Sequence, residues 1–286
     1  AIHLAKKING EIINADSMQI YKEFYVLSSR TTKKEEREIK HHLFGFISIK
    51  KNFSAGDWLQ KVKVKINLCH KKNKIPIIVG GTGLYFNTIT KGISKIPNID
   101  LRIRNKVRLL FKKLGTHNFY KELIRVDPKV NNKILPTDSQ RAQRAYEVFL
   151  QTNKSIFDWI LDTKSEFLNF EIKKVFLNIP REELLKKISL RIEMMFKKNC
   201  VNEVENYNKM KLNKSLSANK LIGVREIIRF QKGNMTLNEC KEMINIKTRQ
   251  YAKRQNTWAR GHMLNWNKVY SKDFNDLLKK TLKVVS

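Results

Sequence analysis

Ile75-Pro76-Ile77-Ile78-Val79-Gly80-Gly81-Thr82-Gly83 is an unbroken apolar run that ends in a glycine-rich turn. A short apolar run without alternation is expected of a strand buried on both faces, as in a parallel sheet. A second such run, Glu11-Ile12-Ile13-Asn14-Ala15, ends at Asp16-Ser17, and a third, Lys174-Val175-Phe176-Leu177-Asn178-Ile179, precedes Pro180 and a helical pattern from about Glu182 to Met210. Strand followed by helix, repeated, predicts an α/β fold with parallel crossovers. Ahead of the first strand, Ala1 to Lys7 has helical apolar spacing and meets a helix stop at Asn9-Gly10.

The stretch between the second and third strands differs in character. From about Asp100 to Lys173 the period is helical, with Val107, Leu110 and Leu114 early and Ala145, Val148 and Phe149 later. It reads as a helical insertion, giving an α/β core over residues 1–99 and 174–286 and an insertion domain over 100–173. The tail from about Ala218 is helical again, rich in Lys and Arg, and carries Trp258 and Trp266.

Of 286 residues, 58 are Lys or Arg and 26 are Asp or Glu, a formal net charge of +32. Two causes fit this excess: compositional drift, since Lys, Ile and Asn abound throughout, and a polyanionic partner, since neutralising phosphates releases counterions and drives association. Nucleic acid is the leading partner class and an anionic membrane surface the second. No apolar run is long enough to span a bilayer and no signal-peptide order is present, so a soluble cytoplasmic protein is expected. Cys69, Cys200 and Cys240 are too few and too widely spaced for a disulfide framework or a zinc site, and reduced, partly buried thiols are expected.

Ligands of open parallel sheets bind beyond the carboxyl ends of the strands. Asp16 with Ser17, and Gly80, Gly81 and Gly83 with Thr82, occupy that position. Glycines allow close backbone approach to a ligand, and a following helix offers free N–H groups to an anion. The alternative is an ordinary strand-to-helix turn with Asp16 as an N-cap. A phosphate loop of the form G-x-x-x-x-G-K-[ST] does not occur in the sequence. A helix feeding directly into a strand that ends in Asp is what would remain if the chain were cut just after such a loop, so an N-terminally truncated chain, an incomplete enzyme, is the expectation.

The blocks Asp16-Ser17-Met18-Gln19-Ile20-Tyr21, His41-His42-Leu43, Phe53-Ser54-Ala55-Gly56-Asp57 and Pro76 to Tyr85 occur in the order found in tRNA dimethylallyltransferases. Asp138 to Val148, containing Gln140-Arg141-Ala142-Gln143-Arg144, resembles that family's tRNA-contacting helix, and Thr248 to Gln255 with Thr257-Trp258 resembles its C-terminal signature. The resemblance implies a P-loop NTPase-like parallel sheet flanked by helices. It also implies transfer of a dimethylallyl group from dimethylallyl diphosphate to the exocyclic amine of the adenosine 3′ of the anticodon, with Mg2+ as cofactor and the tRNA anticodon stem-loop as partner; a monomer is the default expectation, which the sequence leaves open.

Residue by residue, the resemblance makes Asp16 the general base, Thr82 a donor at the departing oxygen and Arg191 the grip on the diphosphate. It makes Asp16, Ser17, Met18, Gln19, Arg104, Gln140, Arg141, Ala142, Gln143, Arg144, Lys220, Gly223 and Arg225 tRNA contacts, across a channel between two domains. Gly80, Gly81 and Gly83 line the donor site, and no residue is assigned as a metal ligand. The family's Gly-Thr-Ala-Lys-Pro is replaced by Leu27-Ser28-Ser29-Arg30-Thr31, which keeps a hydroxyl and a cation. Arg249, Lys253 and Arg254 fit either RNA contacts or a scaffold around Trp258, and the His41-His42 pair fits a structural role better than a catalytic or metal-binding one. A non-catalytic RNA-binding remnant and a P-loop kinase of nucleotides or small molecules are the competing readings.

Overall fold

The strand Gly10–Asn14 (β1) is buried at every position because it has a hydrogen-bonded neighbour on each side. In the computed structural model, which describes residues 1–213 and 216–285, β1 lies between His41–His42 (β2) and Ile75–Val79 (β3) in a three-stranded parallel sheet. Ile12 pairs with both His41 and Ile77, and Asn14 with Val79. The outer position of β3 corrects the expectation of burial on both faces: Ile75 is 49% and Val79 36% exposed.

The third expected strand forms as Val175–Asn178 (β4), but not in that sheet. It pairs in parallel with Asn267–Tyr270 (β5) in a separate two-stranded sheet. Neither β2 nor β5 was expected, since two residues carry no period and in β5 only Val269 is buried.

The chain divides into two compact units, residues 1–86 with 170–286, and residues 87–169. The sequence pattern had set the divisions at 99/100 and 173/174. In the first unit the helices are α1 (Ile2–Lys7), α2 (Lys33–Glu38) and α3 (Ala55–Lys71), with α4 (Gly83–Thr90) leading into the second. Thr32 with Glu35, and Ser54 with Asp57, form reciprocal capping boxes that fix where α2 and α3 begin.

The second unit holds α5 (Leu101–Val126), α6 (Ser139–Thr152) and α7 (Ile156–Leu161). Gly115, at φ 70°, breaks α5 into two segments. Its core includes Val107, Phe119, Leu123, Ala142 and Ala145.

Helices α8 (Arg181–Lys197), α9 (Cys200–Lys209), α10 (Val224–Gln231), α11 (Leu237–His262) and α12 (Phe274–Val285) complete the first unit. The single helical run expected over 182–210 is interrupted at Asn199, which adopts the left-handed conformation. Ile188, Ile192, Val204, Ile227 and Ile244 from α8 to α11 share one core with Ile20, Tyr21, Phe24 and Leu27. The segment following β1 is thereby seated on the helices. All three cysteines are buried and unpaired, and burial lifts their thiols to about 11 for Cys69 and Cys240 and about 12 for Cys200. No helix among the described residues is long and apolar enough to cross a membrane.

Candidate functional site

The end of β1 is held by a buried amide. Asn14 Nδ2 donates to the carbonyls of Asp16 and Leu43, both at 3.0 Å, while its Oδ1 accepts the Asp16 N–H at 2.9 Å. The Trp58 indole N–H donates to the Asn14 carbonyl at 2.8 Å, and the Trp58 ring stacks on Tyr85 with centroids 4.3 Å apart. The Asp16 backbone is thus fixed on both sides. Its half-buried carboxylate accepts the N–H groups of Met18 at 2.7 Å and Gln19 at 3.3 Å. That is an Asx-type turn rather than the cap of a helix.

The glycine turn after β3 meets this element directly. The Thr82 N–H donates to the Ala15 carbonyl at 3.1 Å, the Ser17 N–H donates to Thr82 Oγ1 at 2.9 Å, and the two hydroxyl oxygens are 3.2 Å apart. A Cβ at Gly80 would lie 2.2 Å from the Ala15 backbone, one at Gly81 2.0 Å from the Gln255 amide, and one at Gly83 2.4 Å from the Trp258 ring. Glycine is required at Gly80 and Gly83, where backbone and a ring come so close, whereas at Gly81 the neighbour is the flexible end of the Gln255 side chain. Gln255 Nε2 also donates to the Gly81 carbonyl at 3.0 Å, so α11 lies along the turn.

Asp16 interacts electrostatically with groups on two helices. Arg191 is exposed, yet desolvation by the surrounding protein lowers its pKa while the Asp16 charge pulls it back up, a combination expected of a guanidinium in a concave part of the surface. Its Nε donates to the Ser29 hydroxyl at 2.6 Å. On α11, burial first and Asp16 second raise the Tyr251 hydroxyl above its ordinary value, and Tyr85 is raised further by burial, Tyr21 and Asp16. Asp16, Ser17, Thr82 and Arg191 therefore share one neighbourhood.

The remaining expected contacts are dispersed. Gln19 Nε2 donates to the carbonyls of Ser28 at 3.1 Å and Ser29 at 3.2 Å, and Met18 packs partly against the helical core. Lys220 and Arg225 are exposed, whereas Gly223 is buried at φ 106° and opens α10, its N–H donating to Glu226 at 2.9 Å. In the second unit, Gln140 and Arg141 are exposed, Arg144 is half-buried and 3.5 Å from Glu147, and Gln143 donates to the Ser139 carbonyl. Ala142 lies in the core at 2% exposure. Arg104 is half-buried, and its Nε has no hydrogen-bond partner among the described residues. Arg249, Lys253 and Arg254 all face solvent on α11, so they do not build the core around Trp258.

His42 is buried and bonded to Glu11 at 2.6 Å, with the Cys69 thiol 3.7 Å from the same carboxylate oxygen. Every one of these groups has a hydrogen-bond partner within the core. The cation of the altered loop, Arg30, is likewise internal: Nη1 donates to the Tyr21 carbonyl at 3.1 Å and the guanidinium lies over the Tyr25 ring.

The sequence profile of the family described as IPP transferase matches residues 19–262. The chain belongs to the IPP transferase family. It is 48% identical over 283 residues to a protein of Pelagibacter ubique named tRNA dimethylallyltransferase, covering 99% of this chain and 90% of that one. Among solved structures it is similar to a tRNA isopentenylpyrophosphate transferase from Staphylococcus epidermidis, with a TM-score of 0.68, 26% identity, and coverage of 99% of this chain and 93% of that chain. It is also similar to a eukaryotic dimethylallyltransferase described as acting on tRNA, with a TM-score of 0.81 and 25% identity over 96% of this chain and 70% of that chain. These likenesses do not bear out the expectation of N-terminal truncation.

Four contributors to the candidate site are not marked out individually by the sequence: Asn14, Ser29, Tyr251 and Gln255. Asn14 stands two residues before Asp16, and Tyr251 and Gln255 lie inside the Thr248 to Gln255 block, so their neighbours carried a signal. Ser29 lies in the altered loop Leu27 to Thr31, whose retained hydroxyl is visible in the sequence, but its contact with Arg191 is not.

Proposed function

We propose that the chain is a tRNA dimethylallyltransferase, joining the dimethylallyl group of its diphosphate to the exocyclic amine of the adenosine 3′ of the anticodon and releasing diphosphate. The observation that carries this reading is the meeting of Asp16, Ser17 and Thr82 where β1 and β3 end, with Arg191 close enough for its charge and that of Asp16 to interact. As the new N–C bond forms and the C–O bond to diphosphate breaks, the Asp16 carboxylate accepts the proton of the amine, which is otherwise a poor nucleophile. Thr82 donates to the departing oxygen, and Arg191 offers a planar pair of N–H groups to the diphosphate.

A P-loop NTPase-like sheet is the finer fold reading. No protein ligand is assigned to Mg2+; the Ser17 and Thr82 hydroxyl oxygens beside the donor site fit an ion carried in with diphosphate better than a dedicated protein cage, and Asp16 stays free to act as the base. When bound, the ion would neutralise charge on the leaving group. Gly80, Gly81 and Gly83 shape the donor side of the site. On the RNA side, Ser17 to Gln19, Lys220, Gly223 and Arg225 serve the first unit and Arg104 with Gln140 to Arg144 the second. Cationic side chains there hold phosphates, while a base acted on by the enzyme is taken out of the anticodon stack. A monomer working in the cytoplasm completes the reading.

The test is transfer of radiolabelled dimethylallyl diphosphate to tRNA by the chain and by Asp16→Ala. We expect transfer by the former, and by the latter a loss of about 10²–10⁴-fold with tRNA still bound. Tight tRNA binding with no transfer by either protein would establish a non-catalytic RNA binder instead.

A further inference from the structure

The altered loop at Leu27 to Thr31 lacks the residues its family carries, and one of its side chains nevertheless enters the site. Ser29 Oγ accepts the Arg191 Nε–H at 2.6 Å. Arg191 makes no other hydrogen bond to a described residue, which leaves the Nη1–Nη2 edge of the guanidinium, the edge suited to bidentate phosphate contact, available to a ligand.

The backbone that presents Ser29 is held against its own preference. Among the described residues eight non-glycine positions have positive φ, and five are Asn, the residue that tolerates this region best; Ser29, at φ 51°, is not one of them. Such a conformation persists where the surroundings over-determine it. Here they do so from two directions. Glu203 on α9 accepts three successive backbone N–H groups, from Tyr25 at 3.0 Å and Val26 at 2.7 Å on one oxygen and from Leu27 at 2.9 Å on the other. From β1's side, Gln19 donates to the carbonyls of Ser28 and Ser29, while the Ser28 hydroxyl donates to the Phe24 carbonyl at 2.5 Å.

We propose that Ser29 is a positioning residue for Arg191: its hydroxyl occupies the guanidinium Nε and so turns the Nη1–Nη2 edge toward the oxygens of the leaving diphosphate. Glu203 and Gln19 keep Ser29 in place. This rests on the reading of Arg191 as the diphosphate grip.

The closing experiment uses the full chain and inorganic diphosphate as the probe, with Ser29→Gly, Ser29→Asn, Arg191→Gln and the double variant Ser29→Gly/Arg191→Gln. Glycine removes the hydroxyl and adopts φ 51° without strain, and asparagine tolerates that φ while restoring an oxygen acceptor. Ser29→Gly is expected to weaken diphosphate binding and raise KM for dimethylallyl diphosphate by about tenfold or more, as for the loss of a charge-assisted hydrogen bond. The tRNA dissociation constant and the melting temperature should stay at the wild-type values. Ser29→Asn should recover part of the loss, and the double variant should be no weaker than Arg191→Gln alone, because the two residues act as one unit.

Wild-type diphosphate affinity in Ser29→Gly, losses that multiply in the double variant, or a wild-type chain that binds no diphosphate would each overturn the proposal. Absence of prenyl transfer by the wild type would instead sink the proposed function, while the binding cycle would still decide the role of Ser29.

Discussion

The backbone N–H of Ser17 donates to the Thr82 hydroxyl at 2.9 Å, tying together the ends of two parallel strands that are 65 residues apart in sequence. One side chain thereby holds the two strand ends together. Replacing Thr82 with Val keeps the shape and removes the acceptor, which should cost about 1 kcal/mol of stability for a half-exposed N–H left without its partner. The same variant should lose most of its prenyl transfer, whereas Thr82→Ser should retain both properties. Thermal melting with a transfer assay checks this, and a Val variant equal to wild type in both would refute it.

Gly80 and Gly83 have no room for a methyl group. Gly80→Ala would press a carbon against the Ala15 backbone, and Gly83→Ala against the Trp258 ring. Each should destabilise the first unit by about 1–3 kcal/mol, as overpacking does. Backbone yields less readily than a ring on a helix face, so denaturant melts should show the larger loss for Gly80→Ala.

Arg141 and Arg144 each pair with an acidic neighbour, Asp138 at the N-cap of α6 at 3.3 Å and Glu147 within α6 at 3.5 Å. The Arg141–Asp138 pair is exposed and contributes little to stability, so that guanidinium can be redirected to phosphate at small cost, whereas Glu147 is buried and its pair with half-buried Arg144 is costlier to break. Arg141→Gln should leave the melting temperature within about a degree or two and weaken tRNA binding, whereas Arg144→Gln should weaken binding and also lower the melting temperature, because it leaves the buried Glu147 carboxylate without its partner. The slope of log affinity against log salt should become shallower by about 0.7 for each phosphate that is no longer neutralised. An unchanged slope in a filter-binding titration would remove these residues from the RNA interface.

Glu11 and His42 make the fold acid-sensitive. Burial takes the His42 imidazole below its ordinary 6.5, with Glu11 opposing. For Glu11, burial acts upward, but the hydrogen bond and charge of His42 together with Lys72 carry the carboxyl below its ordinary 4.5. In both cases the unfolded chain binds protons more readily than the folded one, so stability rises with pH. The contribution of His42 is fully present above 6.5 and begins to fall as the pH drops through that value; the contribution of Glu11 is present above 4.5 and is lost as the pH falls further, through its folded pKa. Urea melts between pH 4 and pH 8 should show the first decline near 6.5, and His42→Gln, whatever its absolute stability, should lack it.

How much of this was legible in advance depended on how local each feature is. Glu11 to Ala15 and Ile75 to Val79 could be recognised as strands because their apolar character is continuous, and the residues following them announced the site. The burial of β3 was misjudged, since the same apolar pattern serves a central and an outer strand. The shift of β4 to a second sheet was hidden for a similar reason: its partner, β5, is too polar to stand out.

Ordered blocks of contiguous residues identify the family, and neighbouring residues alone specify the two elements that carry Asp16 and Thr82, because strand character and turn chemistry are local. Which distant groups meet there is a matter of helix packing. Ser29 and Arg191 are 162 residues apart, Glu203 and the segment it clamps 176 to 178, and Gln255 and Gly81 174. No local period encodes such pairs, which exist because α8, α9 and α11 bury their apolar faces against the segment that follows β1 and the turn that follows β3.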